Sequence, residues 1–199
     1  MTSHDSIRLA TAADVDGVAR TLAIAFHDEP ISQFLVPDPV ERARRRPDQF
    51  ALLVERALGH GAVYTTDDHA GAIVWFDHTR PEPPPDSDDA DAGQARAWGP
   101  WLDRLHQLHA LLDRHHPDAP HHHLMVGGVH PDHRRTGLHT AMLRAHLSVL
   151  DEHGISAYSE VSNPIVLELA RRHGFEAAAD PVRLPDGSPL WPVWRPARA

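Results

Sequence analysis

The chain has no cysteine among its 199 residues. This excludes disulfides, thiolate metal sites and a cysteine nucleophile. It also lacks the apolar run of about 18 residues that a transmembrane helix requires. Residues 1–17 contain neither an apolar core nor a cleavage site. We therefore expect no signal peptide, no membrane span and a cytoplasmic protein.

Positive charge is scarce as well. Lysine and arginine total 19 against 28 acidic residues, which gives a formal net charge of −9 with histidine neutral. Phosphate binding needs a basic face, so nucleic acid is not an expected partner. An acidic surface would instead attract a protonated amine, although solubility alone is the simpler explanation of the charge. A chain of this length predicts one domain over residues 1–199. We expect a monomer or a homodimer, between which the sequence does not decide.

The apolar spacing predicts alternating helices and strands. Helical spacing covers residues 15–26, 40–58, 102–112, 138–153 and 163–173. Strand patterns cover residues 7–9, 62–66, 70–76, 124–129, 155–161, 175–183 and 189–195. This order predicts an α/β fold with a mixed sheet and helices on both faces.

Four local features refine this prediction. Thr11 and Asp14 form a capping-box pattern before the first helix. Prolines between 30 and 39 predict an irregular or short-helical lid. The acidic, proline-rich residues 81–93 predict a mobile loop. The nearly continuous apolar run 124–129 predicts a central strand buried on both faces.

A basic turn leads from that strand into the helix at 138–153. Gly137 allows a ligand to approach the backbone closely. Backbone N–H groups at a helix start, helped by the helix dipole and by Arg134 and Arg135, suit a pyrophosphate. An ordinary basic turn that starts a helix explains these residues equally simply, so the residues alone leave both interpretations open.

The order of features over residues 124–175 resembles the GNAT superfamily of acyl-CoA N-acyltransferases. That order is a strand, Val-x-Pro-x-x-Arg-x-x-Gly, a helix, a strand with a glutamate, an asparagine, and a helix ending in Gly-Phe. The start IRLATAADVDGVARTLAIAF, the length and the acidic middle resemble the puromycin N-acetyltransferase group. The resemblance implies a GNAT-like mixed, mostly antiparallel sheet with helices on both faces. It also implies acetyl-CoA as co-substrate and direct acetylation of a small-molecule amine, such as an antibiotic or secondary metabolite.

The resemblance also implies roles for individual residues. The backbone N–H of Val129 would polarise the thioester carbonyl, and Glu160 would act as the base beside the acceptor amine. The implied cofactor-binding residues are Val129, Arg134, Arg135, Thr136, Gly137, Leu138, His139, Thr140 and Asn163.

Two positions depart from the family pattern. His139 stands where the loop usually has a second glycine or an alanine, and its ring could clash, point outward or contact phosphate. Ala170 stands where the family commonly has a tyrosine that protonates the leaving thiolate. His173 lies one turn further on and could donate instead, although a histidine at a helix C-terminus is also favoured by the dipole.

Histidine pairs and triplets raise the question of a metal. His121, His122 and His123 precede a strand, and His106 and His109 share a helix. Neither group comes with a carboxylate at a known ligand spacing. The sequence therefore predicts no metal site.

Other residues give weaker signals. Ser159 and Ser162 lack the flanking glycines of a nucleophile elbow. Trp75, Trp98 and Trp101 would either line an acceptor pocket through cation–π contacts or pack in the core.

Two other functions remain open at this point. The changes at His139 and Ala170 are compatible with a catalytically weak or silent GNAT-like protein that senses or sequesters a ligand. Acetylation of a protein N-terminus or lysine is the third possibility. The sequence does not identify the acceptor amine or the acyl length.

Overall fold

The computed structural model describes residues 7–81 and 87–198, and the side chains of all of these except 87–91. The helices are α1 Val15–Ala25, α2 Pro30–Leu35, α3 Pro39–His60, α4 Ser87–Trp98, α5 Leu102–Leu112, α6 Leu138–His153 and α7 Pro164–Arg172. The strands are β1 Arg8–Leu9, β2 Gly61–Thr65, β3 Gly71–Asp77, β4 His121–Val129, β5 Ser156–Val161, β6 Glu176–Ala177, β7 Val182–Arg183 and β8 Pro189–Arg195. Within these ranges, no helix has the length and apolar character needed to cross a membrane.

The strands join in one sheet with the order β1-β2-β3-β4-β5-β8-β6, and β7 pairs with β8. β4 and β5 run parallel, whereas the other pairs along this path are antiparallel. The predicted mixed, mostly antiparallel sheet is therefore confirmed.

The central strand β3 shows how helices cover both faces of the sheet. Ile73 and Trp75 point into one core, to which α6 and α7 contribute. Ala72, Val74 and Phe76 point into the opposite core, which is built with α1 and α3. This alternation is the period of two expected for a strand, and it places helices on both faces as predicted.

A third core lies beside the sheet and corrects the prediction for residues 81–93. Residues 87–93 form the first part of α4 rather than a loop, and residues 82–86 lie outside the described part of the chain. The end of α4 is anchored by Ala97 and Trp98, which pack with residues from α2 and α5. The Gln49 side-chain amide also donates to the Ala97 carbonyl at 3.4 Å. Composition missed this helix because its stability comes from tertiary packing.

The strand predicted at 124–129 is central but is not buried on both faces. β4 begins earlier, at His121, and most of its residues from Leu124 onward are only half-buried. The reason is that β5 moves away from β4 beyond the first three paired positions. One edge of the apolar run therefore faces open space.

The predicted capping box before α1 is present and forms part of a larger network. The Asp14 carboxylate accepts hydrogen bonds from the N–H and hydroxyl of Thr11 at 2.8 and 2.9 Å. It also accepts two hydrogen bonds from the Arg8 guanidinium, at 2.8 and 2.9 Å, and contacts the His69 ring nitrogen at 2.9 Å. Arg8, followed by Thr11 and His69, holds the pKa of Asp14 far below its usual range.

We predict that Asp14→Asn lowers the free energy of unfolding at neutral pH by about 1–3 kcal/mol, because partners of a buried carboxylate lose their charged acceptor. The folded-state pKa lies below the unfolded value of about 3.9, so this stabilisation is present above that pH and is lost as pH falls below it. Urea unfolding from pH 7 to 3 should show the gap between wild type and variant closing at the acid end. The exposed neighbour Asp16→Asn is the control. A constant gap across this range would contradict the assignment.

Candidate active site

The separation of β4 from β5 creates a cavity. The strands pair only from His121 opposite Ser156 to His123 opposite Tyr158. The Ser159 hydroxyl then donates to the β4 carbonyl of Leu124 at 2.8 Å. Beyond this point a cavity of about 560 Å³ occupies the gap and extends to the start of α6. This volume is in the range of small-molecule sites.

The ten residues to which the sequence resemblance assigned a catalytic or cofactor-binding role all border this cavity. They are Val129, Arg134, Arg135, Thr136, Gly137, Leu138, His139, Thr140, Glu160 and Asn163. The structure therefore brings the candidate residues together, while their individual roles remain predictions.

The backbone N–H of Val129 faces the gap. His130 donates to the Ala70 carbonyl at 2.8 Å, and Val129 lies opposite Gly71 in the β3–β4 ladder. Residues along an antiparallel strand alternate between facing their partner and facing away. Val129 therefore directs its N–H away from β3 and toward the cavity.

The start of α6 offers a second set of backbone donors. Gly137 occupies the N-cap position with a left-handed φ of 85°. The first helical hydrogen bond runs from the Ala141 N–H to the Gly137 carbonyl at 3.0 Å. Because glycine has no capping side chain, it leaves the N–H groups of Leu138, His139 and Thr140 uncapped at the positive end of the helix dipole. This arrangement suits an anionic ligand.

The preceding turn adds charge at the cavity rim. Arg134 and Arg135 are exposed, and Arg135 itself has a left-handed φ of 64°. Arg134 donates to the Ala25 carbonyl at 3.3 Å, while the Thr136 hydroxyl donates to the His133 carbonyl at 2.8 Å. The Arg134 hydrogen bond holds the turn against the end of α1, whereas the Thr136 hydrogen bond lies within the turn.

The His139 ring points inward, against β4. A Cβ atom placed on Gly127 would lie only 2.8 Å from its Nε2, so the glycine makes room for the ring. Burial, with a smaller contribution from the charge of His173, lowers the pKa of His139 to about 4. His139 is therefore a neutral ring in the cavity wall, and it neither points outward nor adds positive charge for phosphate.

Glu160 lies on β5 with a side chain that is only 8% exposed. Its Oε2 contacts His123 Nε2 at 2.8 Å, whereas its Oε1 is buried and has no hydrogen-bond partner among the described residues. Burial alone would raise the pKa of this carboxyl, but His123 and then Tyr158 outweigh burial and hold the pKa below its usual value. Glu160 is therefore a carboxylate at neutral pH with one oxygen available.

Tyr158 lies beside this carboxylate on the same strand. Burial, reinforced by the negative charge of Glu160, raises the pKa of Tyr158 well above its usual value. The phenol therefore keeps its proton at neutral pH.

Sequence reasoning missed two residues at this site. Glu29 borders the cavity from the start of α2, where it accepts a hydrogen bond from Ser162 at 3.2 Å. Its only sequence signal was its place in the lid segment just before Pro30. His123 was considered only as part of the triplet, and nothing in its spacing indicated a contact with Glu160, 37 residues away.

Ala170, at the position where the family commonly has tyrosine, lies at the cavity, whereas the suggested substitute donor His173 does not. Ala170 borders the cavity and is 8% exposed. His173 is not among the described residues that line the cavity. Its Nδ1 bonds the Leu169 carbonyl at 2.9 Å, and its Nε2 accepts from Arg144 at 3.3 Å.

The tryptophans pack in cores. Trp75 is fully buried beneath α6, while Trp98 and Trp101 belong to the third core beside α5. None of the described residues that line this cavity is a tryptophan, so these residues contribute to the cores rather than to this cavity.

Comparison with known proteins is consistent with this arrangement. The model of the acetyltransferase (GNAT) family matches residues 25–175, which is more than half of the chain. A protein described as histone acetyltransferase HPA2 and related acetyltransferase, from Corynebacterium glutamicum, has a similar structure. It is 21% identical, with a TM-score of 0.69 over 98% of this chain and 97% of that one.

Two further solved structures share the fold. A mosquito arylalkylamine N-acetyltransferase like 5b is 16% identical, with a TM-score of 0.60 over 96% of this chain and 98% of that one. A Thermoplasma acidophilum PaiA N-acetyltransferase in complex with coenzyme A is 10% identical, with a TM-score of 0.56 over 96% and 97%. The family match, the sheet and the cavity lead to one conclusion: the chain belongs to the GNAT family of acetyltransferases and is an N-acetyltransferase that uses acetyl-CoA.

Proposed function

We propose that this protein transfers the acetyl group of acetyl-CoA to a small cationic amine, with Glu160 as the base. One observation carries the proposal. A single cavity collects the uncapped start of α6, the inward N–H of Val129 and the carboxylate of Glu160. An acetyl transfer needs an anion site, an oxyanion donor and a group that accepts an amine proton.

The acyl donor would bind between the strands. The N–H groups of residues 138–140 would hold the pyrophosphate, with the rim arginines adding charge. Asn163 caps α7 by accepting from the Ile165 N–H at 2.9 Å. Its side-chain NH₂ group would then serve as donor to the pantetheine arm. The N–H of Val129 would meet the thioester carbonyl oxygen as negative charge develops there.

The acceptor would be drawn to carboxylates. Glu160 presents a buried Oε1 without a partner in the described part of the chain, and Glu29 borders the same cavity. Leaving a buried acceptor unpaired costs about 1–3 kcal/mol, which an ammonium N–H would recover. The net charge of −9 attracts the same class of ligand over longer distances.

The reaction is then a direct transfer in a ternary complex. The ammonium gives one proton to Glu160, directly or through a water molecule, and the free amine attacks the thioester carbon. A C–N bond forms, the C–S bond breaks, and the attacking nitrogen loses its second proton to solvent. The thiolate leaves and takes a proton from solvent, because Ala170 has no proton to donate. With a thiol pKa of about 8.5, the thiolate is a tolerable leaving group.

We further propose that the acceptor is an antibiotic or other secondary-metabolite amine, which would make this a resistance-type enzyme. The support is the resemblance of the N-terminal segment and the acidic middle to the puromycin N-acetyltransferase group. Puromycin and related aminonucleosides therefore come first in an acceptor panel, followed by arylalkylamines, polyamines and peptide N-termini.

The decisive test is a thiol-release screen of that amine panel with acetyl-CoA. We expect turnover with at least one small amine, and Glu160→Gln should lower kcat/KM for it by about 10²–10⁴-fold. Glu168→Gln, on the exposed side of α7, is the matched control and should retain activity. No thiol release together with no thermal shift in acetyl-CoA would overturn the proposal, and activity only on peptides would overturn the small-amine acceptor.

The pyrophosphate site is tested by Gly137→Ala. Alanine is strained at a φ of 85°, so the turn must move and the backbone donors lose their alignment. We expect KM for acetyl-CoA to rise about 10-fold, equivalent to about 1.4 kcal/mol, with a smaller change in kcat. Gly154→Ala imposes the same left-handed strain at the other end of α6, with open space around the new Cβ. Equal effects of the two variants on KM would contradict this assignment.

The missing proton donor is tested at Ala170. We expect Ala170→Tyr to raise kcat relative to Ala170→Phe, by up to about 10²-fold, because only tyrosine adds a proton donor facing the thiolate. Phenylalanine controls for the volume that either ring adds to the cavity wall. Steady-state rates with both variants, with circular dichroism to verify the fold, give the answer. Equal rates would show that leaving-group protonation does not limit turnover.

A further inference from the structure

A group of histidines adjoins Glu160 through His123, and its members are not among the described residues that line the cavity. His78 follows β3, His116 lies in the connection from α5 to β4, and His123 is on β4. Each offers a ring nitrogen, and these three nitrogens all lie within 4.8 Å of one another. The ring centroids are 4.9 Å apart for His78 and His116, and 5.1 Å apart for His116 and His123.

His121 borders the same group and has an unpartnered nitrogen. Its ring stacks on His78 at 5.1 Å and is 5.0 Å from His116. Its Nδ1 bonds the Ala119 carbonyl at 2.7 Å, so Nδ1 carries the proton and Nε2 holds a lone pair. That Nε2 is buried without a hydrogen-bond partner among the described residues, and His121 as a whole is 1% exposed. Among the three clustered histidines, the Nε2 of His116 is likewise buried without a hydrogen-bond partner in the described part of the chain. A buried polar atom left unpaired within the cluster points to a missing ligand.

The contact between His123 and Glu160 matches the carboxylate–histidine pairs that are common at metal sites. Metal-binding histidines usually donate their second ring N–H to a carboxylate, which fixes the tautomer and strengthens the ligand. His123 Nε2 lies 2.8 Å from Glu160 Oε2. With that N–H donated to Glu160, the lone pair of His123 is on Nδ1.

We propose that His78, His116 and His123 form a transition-metal site of the Zn²⁺ class adjoining the base. Three imidazoles with a water molecule give the tetrahedral set typical of such ions, whereas Mg²⁺ and Ca²⁺ prefer oxygen ligands. His116 is only partly buried, which gives an ion access from the surface. Local spacing could not reveal this site, because its ligands come from three separate segments.

The test uses Zn²⁺ alone and needs no acyl-CoA, so it is independent of the proposed acetyl transfer. Tag-free protein is stripped with a chelator, and bound zinc is measured by equilibrium dialysis with elemental mass spectrometry. We expect one equivalent to be retained at micromolar free metal. Replacing Zn²⁺ with Co²⁺ should give the intense visible absorption of a tetrahedral site.

Histidine-to-alanine variants test which residues are the metal ligands. His116→Ala, in a connecting segment, should weaken Zn²⁺ binding at least about 10-fold and abolish the Co²⁺ spectrum. His78→Ala should do the same by removing a second ligand. His115→Ala removes an exposed histidine next to His116 and should leave binding unchanged. Lack of bound zinc in the wild type, or equal binding by the wild type and a folded His116→Ala variant, would overturn the proposal.

Discussion

The site depends on the separation of β4 from β5. These parallel strands pair over three positions and then diverge, so backbone groups that would bond across the sheet instead face a cavity. Such groups need other partners, and an acyl-CoA can supply them. The strands can part without loss of order because each is paired on its other side, β4 with β3 and β5 with β8.

The sequence predicted the proposed acyl-donor half of the site better than the proposed acceptor half. The strand end, the turn and the helix start between Val129 and Thr140 are contiguous, so local rules describe them. The contacts of Glu160 are different, because His123 and Glu29 are distant in the chain and meet it only through the sheet and the lid. Most helices and strands could also be predicted, because the apolar periodicity that marks them is a local feature of the sequence. α4 was missed because Ala97 and Trp98 stabilise it through contacts with other helices.

The unusual His139 illustrates the same limit. As a departure from the family pattern it suggested a clash, an outward ring or a phosphate contact. In the structure the ring faces inward over Gly127, and a side chain at position 127 would collide with it. Gly127 and His139 are 12 positions apart in the chain, and the ring of His139 fits only because position 127 has no side chain. A larger residue at position 127 would overpack and strain the wall of the cavity. No single-position rule could reveal this pairing.

The low pKa of Glu160 constrains how it can act as a base. Moving a proton from an alkylammonium with a pKa of about 10.4 to a carboxyl of about 4.3 costs about 8 kcal/mol. Releasing the same proton to solvent at pH 7 costs only about 5 kcal/mol, and the lowered pKa of Glu160 widens the difference. In the proposed reaction, the carboxylate therefore acts as a relay: it binds and orients the ammonium, and the proton passes through a water molecule to solvent rather than staying on the carboxyl. His123 favours this role because its contact with Oε2 stabilises the ionised form of Glu160 and leaves Oε1 available for the amine.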